Sequence, residues 1–404
     1  MKTLDQESIA SFFALTKKVL KAHSVDAWLV YVKKEMRTWI LRQLGLESAY
    51  ISRPMFFLFF KDQDPTVLYS ELDTPALCQL TQIPIRTQTY FSYVEQRGSL
   101  QKLLKNVKTL ALDTIEEGAL PSLSTIDAGF KSWIDRLGLN IISSSSFSDE
   151  ILAKVTNEGL ASHRVAAKAL EEILERSFAW IQTHLDKQEI YEKQLRDLIC
   201  QWMEEKELII SPPIVAFGPN SADPHYETVA NGKKLERGDV VLIDLWSKLA
   251  KPRSIYADFT QVGYVPHGQD IPPQVLEVFD CVKTAQSKVI EHLQKELSSK
   301  KITGAEADQF ARFYIEHKGY GSSFRHRTGH NVGADCHGLG VNLDSIEFPD
   351  PRMMLSEAIF TVEPGIYLPG KFGVRLECDL YIHPDYRVEV TGGLQEQLKI
   401  LRPE

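Results

Sequence analysis

The stretch GVRLECDLYI, residues 373–382, has the two-residue alternation of a β-strand with one apolar face and one charged face. The apolar face consists of Val374, Leu376, Cys378, Leu380 and Ile382. The other face carries Arg375, Glu377, Asp379 and Tyr381. A buried carboxylate costs several kcal/mol unless it is paired, protonated or bound to a metal ion. The stretch therefore predicts a β-sheet whose functional residues lie on the charged face.

Three more carboxylates interrupt strand-like runs in the same half of the chain. Glu363 ends the run AIFTVE, Asp258 lies in IYADFTQVGYV, and Asp244 lies in VVLIDLW. Together with Glu377 they form a set of four that a single Arg375 cannot neutralise. Two divalent cations would neutralise the set, and oxygen-rich ligands with one imidazole suit manganese, iron, cobalt or zinc.

Histidines accompany the carboxylates in two places. The segment RHRTGHNVGADCHG holds His326, His330 and His337 among glycines, where the backbone is expected to approach a ligand closely. The segment SADPHYETV holds His225 ahead of the first carboxylate strand. Taken singly, a histidine of this kind is more often a surface or core residue than a functional one.

Helical and strand-like patterns divide the rest of the chain. The runs WLVY at 28–31, MFFLFF at 55–60 and TLALD at 109–113 predict strands in the first part of the chain. The first long helix after residue 150 is predicted to bury Val165, Ala169, Ile173, Ile181 and Leu185. A later helix is predicted to bury Val275, Phe279, Val282, Val289 and Leu293. Two helices followed by strands occur twice, which suggests a duplicated half.

Six motifs occur in a fixed order: SADPHY, VVLIDLW, YADFT, HRTGHNVG with a downstream CHG, FTVEPGIY and FGVRLEC. In that order they resemble the Xaa-Pro aminopeptidase and prolidase (Xaa-Pro dipeptidase) family of pita-bread metallopeptidases, which is related to methionine aminopeptidase and creatinase. The likeness covers residues 155–402 and, more loosely, the preceding part. It implies an α/β fold, with a creatinase/prolidase-like N-terminal domain over 1–150 and a pita-bread catalytic domain over 151–404. The serine run ISSSSFSDE, residues 142–150, marks the expected boundary.

The resemblance also implies a ligand set for two metal ions, most consistent with manganese, and with cobalt, iron or zinc as alternatives. That set is Asp244, Asp258, His330, Glu363 and Glu377. In this scheme Asp244 binds one ion through both oxygens, while Asp258 and Glu377 bridge the two. A hydroxide held between the ions would then attack the carbonyl of the Xaa-Pro bond.

The catalytic residues implied by the resemblance are Glu363, His225, His337 and Arg375. Glu363 would carry the proton to the departing proline nitrogen. The two histidines would lie beside the substrate, and the arginine would support the site by hydrogen bonding. His326 has no implied role. We expect Cys336 and Cys378, which flank two site residues, to be small buried fillers.

Composition limits the partners and the compartment. A net charge of −8 argues against nucleic-acid binding, and no run reaches the roughly 20 apolar residues of a membrane helix. Five scattered cysteines without a CxxC pair favour a reducing cytoplasm. Small proline-containing peptides are the expected substrates, and the family's N-terminal domain implies a homodimer.

Several alternatives stay open at the level of sequence. The peptidase could be a dipeptidase or an aminopeptidase, and a dipeptidase needs a cation for the substrate's carboxylate, for which Arg352 and Arg375 are candidates. A methionine aminopeptidase-like or creatinase-like hydrolase is a second class. A non-catalytic pita-bread interaction module is a third class. The intact set of metal ligands argues against the creatinase-like alternative, which would not need metal, and against the non-catalytic module.

Overall fold

The computed structural model describes residues 6–33, 39–46 and 49–403. The chain divides into two compact units, Met1–Ile151 and Leu152–Glu404. The serine run at residues 142–150 lies just ahead of this division. Within the described ranges, no helix is long and apolar enough to cross a membrane.

The first unit is built on a six-stranded mixed sheet, counted over its described residues, in the order β4-β3-β2-β1-β5-β6. Its strands are β1 Ala27–Val32, β2 Met55–Phe60, β3 Thr66–Ser70, β4 Arg86–Tyr90, β5 Thr109–Leu112 and β6 Asn140–Ser143. Its helices are α1 Gln6–Ala22, α2 Trp39–Gln43, α3 Tyr93–Leu103, α4 Ala128–Asp135 and α5 Asp149–Leu152, the last of which ends at the division. The three strands predicted in this part are confirmed as β1, β2 and β5.

Asp113 is one of the carboxylates buried in the first unit. Asp113 follows β5, and its Oδ1 accepts hydrogen bonds of 2.7 Å from Trp28 Nε1 and 2.7 Å from Ser144 Oγ. Among the described residues no cation pairs with it, and burial raises its pKa to about 6. Asp113 therefore makes the first unit's stability sensitive to pH.

The second unit contains two four-stranded sheets and a separate hairpin among its described residues. Its helices are α6 Asn157–His184, α7 Glu192–Glu205, α8 Pro273–Glu296 and α9 Gly304–His317. The sheet β16-β9-β8-β7 consists of β7 Ile214–Phe217, β8 Val240–Ser247, β9 Ala257–Tyr264 and β16 Lys399–Ile400. The sheet β10-β11-β14-β15 consists of β10 Asn331–Val332, β11 Ala358–Val362, β14 Cys378–Ile382 and β15 Val388–Gly392. The hairpin pairs β12 Gly365–Leu368 with β13 Phe372–Arg375.

The two sheets meet along β9 and β14. The backbone N–H of Asp258 donates to Asp379 Oδ2 at 3.0 Å, and the backbone N–H of Glu377 donates to the Thr260 carbonyl at 3.0 Å. These bonds bring two carboxylate-bearing segments side by side. The predicted helix–helix–strand order, present twice, thus ends in two sheets that share one seam.

The stretch GVRLECDLYI was expected to be one strand, and the structure divides it. Residues up to Arg375 belong to β13, and β14 begins at Cys378. The break arises because β13 pairs with β12 while β14 pairs with β11, and the N–H of Glu377 turns to Thr260. The predicted faces survive the break, since one hydrophobic cluster contains Val374, Leu376, Cys378, Leu380 and Ile382.

Helix packing agrees with the predicted stripes except at Val165 and at Leu185, which follows the end of α6 and is only partly buried. All five predicted apolar residues of α8 are buried. In α6, Ala169, Ile173 and Ile181 are buried, but Val165 is 54% exposed. The buried stripe of α6 runs through Ala166 instead, one residue or about 100° further round the helix.

Candidate metal centre

Three of the predicted ligands meet at the seam between the sheets. One donor atom each from Asp258, His330 and Glu377 lies within 4.8 Å of the others. Asp258 comes from β9, Glu377 precedes β14, and His330 precedes β10. All three are buried, with exposed fractions of 5% or less.

The glycine before His330 places the imidazole. A Cβ on Gly329 would lie 2.1 Å from the Thr361 carbonyl oxygen, so only glycine lets this loop run against β11. At Gly329 the close approach is made to a strand of the protein, and a close approach of this segment to a ligand stays a prediction. His330 is held there by two backbone bonds: its N–H donates to Thr361 Oγ1 at 3.0 Å, and its carbonyl accepts from Thr361 N at 2.9 Å.

The tautomer of His330 follows from its hydrogen bond. Its Nδ1 lies 3.2 Å from the Asn331 carbonyl oxygen, which can only accept, so Nδ1 carries the proton. Burial lowers the pKa of His330 well below its usual range, which keeps the ring neutral. The lone pair on Nε2 then faces Glu363 Oε1 at 3.5 Å and Asp258 Oδ2 at 3.7 Å. At these separations the imidazole nitrogen lies between two carboxyl groups without a strong hydrogen bond to either.

The two remaining predicted ligands, Asp244 and Glu363, lie next to these three residues. Asp244 is fixed by Arg375, whose Nη2 donates to Oδ2 at 2.5 Å, while Oδ1 of Asp244 is buried without a hydrogen-bond partner among the described residues. Glu363 Oε1 accepts from Thr361 Oγ1 at 3.2 Å. Thr260 Oγ1 donates to Glu377 Oε2 at 2.7 Å and accepts from Arg375 Nε at 3.1 Å.

Electrostatics make the metal-free cluster costly. Burial, reinforced by the neighbouring carboxylates, raises the pKa of Asp258 and of Glu377 well above their ordinary values. Burial also raises the pKa of Glu363 to about 7, opposed by the charges of Arg375 and Arg327. Each shift has the same origin: anionic groups are crowded in a site from which water is excluded. Bound cations would reverse these shifts.

The residues present therefore fit divalent metal ions. The donor set is rich in oxygen and has one nitrogen: three buried acids, the partly buried Glu363 and the neutral imidazole of His330, with one carboxylate oxygen of Asp244 left without a partner among the described residues. Asp258, His330 and Glu377 are close enough to share one ion. The structure brings all five predicted ligands to one seam.

Arg375 belongs to a buried network that sequence reasoning missed. Its Nη1 donates to the Tyr367 hydroxyl at 3.0 Å, and that hydroxyl lies 2.7 Å from His326 Nε2. His326 Nδ1 lies 2.7 Å from the Arg327 carbonyl oxygen, so Nδ1 is the donor and Nε2 accepts from Tyr367. Burial lowers the pKa of His326 to about 3, so the ring stays neutral. His326, which had no predicted role, thus orients the tyrosine that holds Arg375.

The two histidines expected beside a substrate lie at the exposed rim. The His337 ring packs edge-on against His330 with 4.3 Å between ring centroids, and its side is open to solvent. His225 is exposed on the loop after residues 218–222, where its N–H donates to Asp223 Oδ1 at 3.0 Å. Their role toward a substrate remains a prediction from the resemblance.

The two cysteines differ from each other. Cys378 is fully buried in the apolar cluster, as predicted. Cys336 is only partly buried, and its Sγ lies 2.8 Å from Asp258 Oδ2 as a hydrogen-bond donor. The expectation that Cys336 is a buried filler is therefore wrong, because the loop that carries it lies over the metal centre rather than in the core.

Neither arginine predicted for a substrate carboxylate has a free guanidinium. Arg352 is 8% exposed at its side chain and is bound by both Asp350 oxygens and by the carbonyls of Leu339 and Gly340. Arg375 is equally occupied by Asp244, Thr260, Tyr367 and the Pro224 carbonyl. Both residues support the protein's own loops and ligands.

Comparison with known sequences extends this picture. The model of a family described as Metallopeptidase family M24 matches residues 161–384, more than half of the chain. An uncharacterized peptidase of Bacillus subtilis, YqhT, is 35% identical over 184 residues, which are 45% of this chain and 47% of that protein. The Xaa-Pro dipeptidase of Pyrococcus horikoshii is 34% identical over 169 residues, 42% of this chain and 43% of that protein. The chain thus spans less than half the length of these curated relatives in the matched region.

Solved structures match almost the whole chain. Dipeptidase PepE from Mycobacterium ulcerans superposes with a TM-score of 0.78 at 18% identity, covering 98% of this chain and 99% of that one. Prolidase from Pyrococcus furiosus gives 0.63 at 19% identity, with 94% and 100% covered. The N-terminal domain of the FACT complex subunit SPT16 from chickpea gives 0.68 at 14% identity, with 96% and 97% covered. At such identities these likenesses establish the mixed α/β fold with a C-terminal pita-bread region, and no activity.

Proposed function

The chain belongs to metallopeptidase family M24, and on that premise we propose that it hydrolyses Xaa-Pro bonds in small peptides with two divalent metal ions. The ions would be held by Asp244, Asp258, His330, Glu363 and Glu377. Relatives named as Xaa-Pro dipeptidases support the specificity, since they share about a third of their matched residues with this chain. Manganese is the metal we propose, because the donor set combines carboxylates with a single imidazole.

One observation carries the proposal. The neutral Nε2 of His330 faces oxygens of Glu363 and Asp258 at 3.5 and 3.7 Å, too far for strong hydrogen bonds. Such an arrangement is unfavourable for a protein alone and suits a cation. Two divalent cations, when bound, would neutralise the acids, polarise the scissile carbonyl and make a nucleophile from water at neutral pH.

The protein's own groups supply the remaining chemistry. Glu363 would carry a proton to the departing proline nitrogen, a role supported by the position of its carboxylate beside His330 in the cluster. Arg375 would hold Asp244 in place through Oδ2, which leaves Oδ1 for an ion. His337, which packs on His330, would donate a hydrogen bond to the substrate carbonyl as negative charge develops there, and His225 is the second candidate for that donor.

The likeness to a FACT complex subunit makes a non-catalytic interaction module the second candidate function, because the same fold serves a protein described by its complex rather than as a peptidase. The cluster described above argues against it, since an interaction module has no need for four clustered acids. The homodimer and the cytoplasmic location stay predictions from the resemblance and from the cysteine content.

The test is hydrolysis by metal-stripped protein before and after manganese is restored. The substrates are Ala-Pro and Ala-Pro-Gly, with Ala-Ala, Met-Ala-Ser and creatine as probes of other specificities. We expect manganese-dependent cleavage of at least one proline peptide and none of Ala-Ala. Faster cleavage of Met-Ala-Ser or creatine than of Ala-Pro and Ala-Pro-Gly would overturn the proline specificity. Two bound metals without any cleavage would favour the interaction module.

A further inference from the structure

A buried glutamine lies on the inner face of α8. Gln286 is 1% exposed, and its neighbours on the same face of the helix, Phe279, Val282, Val289 and Leu293, are apolar. A polar side chain in such a face is costly unless its hydrogen-bonding groups find partners. The partners of Gln286 therefore indicate why an amide stands where an apolar residue would pack.

The amide of Gln286 joins two distant segments. Its Nε2 donates to the Val362 carbonyl at 2.8 Å and to the Leu376 carbonyl at 3.0 Å, so both of its N–H groups are used. Val362 is the last residue of β11 and is followed by Glu363, while Leu376 lies between β13 and β14 and is followed by Glu377. One side chain thus holds the carbonyl that precedes each glutamate of the proposed ligand set.

The same two peptide groups are also held at their other end. A peptide group is planar, so its C=O and the N–H of the next residue turn together. The N–H of Glu363 donates to the Thr328 carbonyl at 2.7 Å, and the N–H of Glu377 donates to the Thr260 carbonyl at 3.0 Å. With both carbonyl oxygens on Gln286, neither peptide plane can rotate without breaking a hydrogen bond. Gln286 is the partner that the two peptide groups have in common.

The orientation of the amide has a cost. Gln286 Oε1 is buried with no hydrogen-bond partner among the described residues. The opposite orientation would set that oxygen against two carbonyl oxygens, which can only accept, so the nitrogen must face them. A buried acceptor without a donor lowers stability. The glutamine therefore makes its two bonds to the carbonyls at the expense of its own oxygen.

We propose that Gln286 is a positioning residue of the metal centre, because its amide fixes the two glutamates relative to each other. The inference rests on the ligand set of the proposed function and adds a residue that touches neither metal nor substrate. Glu363 and Glu377 come from separate segments, so their spacing depends on what ties those segments together. Without the amide, the two carboxylates would have more conformational freedom to lose when an ion binds.

The experiment is a calorimetric manganese titration of metal-stripped Gln286→Met, a substitution that nearly keeps the size of the side chain and removes both donors. We expect at least about tenfold weaker binding, the lower end for loss of a residue that orients ligands. Gln286→Asn, whose amide is one methylene too short to reach both carbonyls, should also weaken binding, and it carries the test if the methionine variant does not fold. At saturating manganese, kcat for Ala-Pro should fall while KM stays at the wild-type value, because Gln286 does not touch the substrate.

The matched control is Gln395→Met, which removes another buried amide. Gln395 is 3% exposed, and its Nε2 donates to the carbonyls of Val262 and Gln397 at 2.7 and 2.9 Å, neither of which precedes a predicted ligand. Urea unfolding of the metal-free proteins should show a loss of stability in both methionine variants. Manganese affinity should fall only in Gln286→Met.

The outcomes separate this inference from the proposed function. A wild type that binds two ions but cleaves no proline peptide removes the proposed specificity, while weaker binding in Gln286→Met still supports the positioning role. A wild type that binds fewer than two ions removes the ligand set and this inference with it. Wild-type affinity in the folded Gln286 variants overturns the inference alone. An equal loss of affinity in Gln395→Met, or a change confined to KM in Gln286→Met, overturns it as well.

Discussion

Arg375 binds only one of the two oxygens of Asp244: its Nη2 lies 2.5 Å from Oδ2, and Oδ1 is buried with no hydrogen-bond partner among the described residues. A buried carboxylate oxygen without a donor is costly for a protein unless a cation takes that place. The arginine thus orients the carboxylate and leaves its second oxygen to a metal ion.

The first prediction concerns that arginine. Lysine at position 375 cannot reach Asp244, Thr260 and Tyr367 together, because it has no planar fork of donors. Arg375→Lys should weaken manganese binding about 10- to 100-fold, the usual effect of losing a residue that orients a ligand. Calorimetric titration of metal-stripped protein measures it. The control is Arg164→Lys, which alters a surface pair with Glu389. An Arg375→Lys variant that binds manganese as tightly as the wild type would refute the orienting role.

The second prediction concerns Glu363 as proton carrier. Glu363→Gln keeps the size of the side chain and removes its acid–base function, so turnover of Ala-Pro should fall at least about 100-fold. The measurement is kcat at saturating manganese. Glu357→Gln, which alters a half-exposed glutamate paired with Lys154, is the matched control. Near-normal turnover in Glu363→Gln would remove the proton-transfer role.

The third prediction concerns the network that ends at His326. Tyr367→Phe removes the hydroxyl that joins Arg375 to His326, leaving buried donors and acceptors unpaired. We expect a loss of about 1–3 kcal/mol in the free energy of unfolding, together with weaker manganese binding. Urea unfolding of the metal-free protein and a metal titration measure the two effects. Tyr264→Phe removes an equally buried tyrosine outside the network, and its metal affinity should stay at the wild-type value.

The fourth prediction concerns pH and the first unit. The pKa of Asp113 is raised by burial from 3.8 to about 6, so its contribution to stability is greatest below pH 4 and is lost as pH rises through 6. A shift of this size corresponds to about 3 kcal/mol between those limits. Asp113→Asn keeps an acceptor for Trp28 and Ser144 and should abolish that part of the pH dependence. Denaturant unfolding at pH 4 and pH 7 tests it; equal pH dependence in variant and wild type would contradict it.

Much of the centre could be predicted because its residues break local patterns. Glu377 and Asp258 occur within strand-like apolar runs. Because a buried carboxylate needs a partner, the sequence alone identifies both residues as candidates for the site. The capping box of Thr303 and Glu306 at the start of α9 is equally local, since the two residues are three positions apart.

What sequence could not reveal depends on contacts between distant segments. The break after Arg375 follows from strand pairing with β12 and from a bond to Thr260, more than 100 residues earlier. The occupation of Arg352 by its own loop, the Tyr367–His326 bond and the Cys336 contact with Asp258 are likewise tertiary. The prediction that Val165 is buried failed for a different reason. Apolar residues alone do not distinguish between two neighbouring positions of a helix as the start of its buried face.

The most direct test of the account is the number of metal ions that the cluster binds. Metal-stripped protein is dialysed against manganese, and bound metal per chain is measured by elemental analysis for the wild type and for Asp258→Asn. The account predicts two ions per chain in the wild type and fewer in the variant, because Asp258 lies where its carboxylate faces His330 and Glu377. A wild type that binds no manganese, cobalt, iron or zinc, or a variant that binds as much as the wild type, would contradict it.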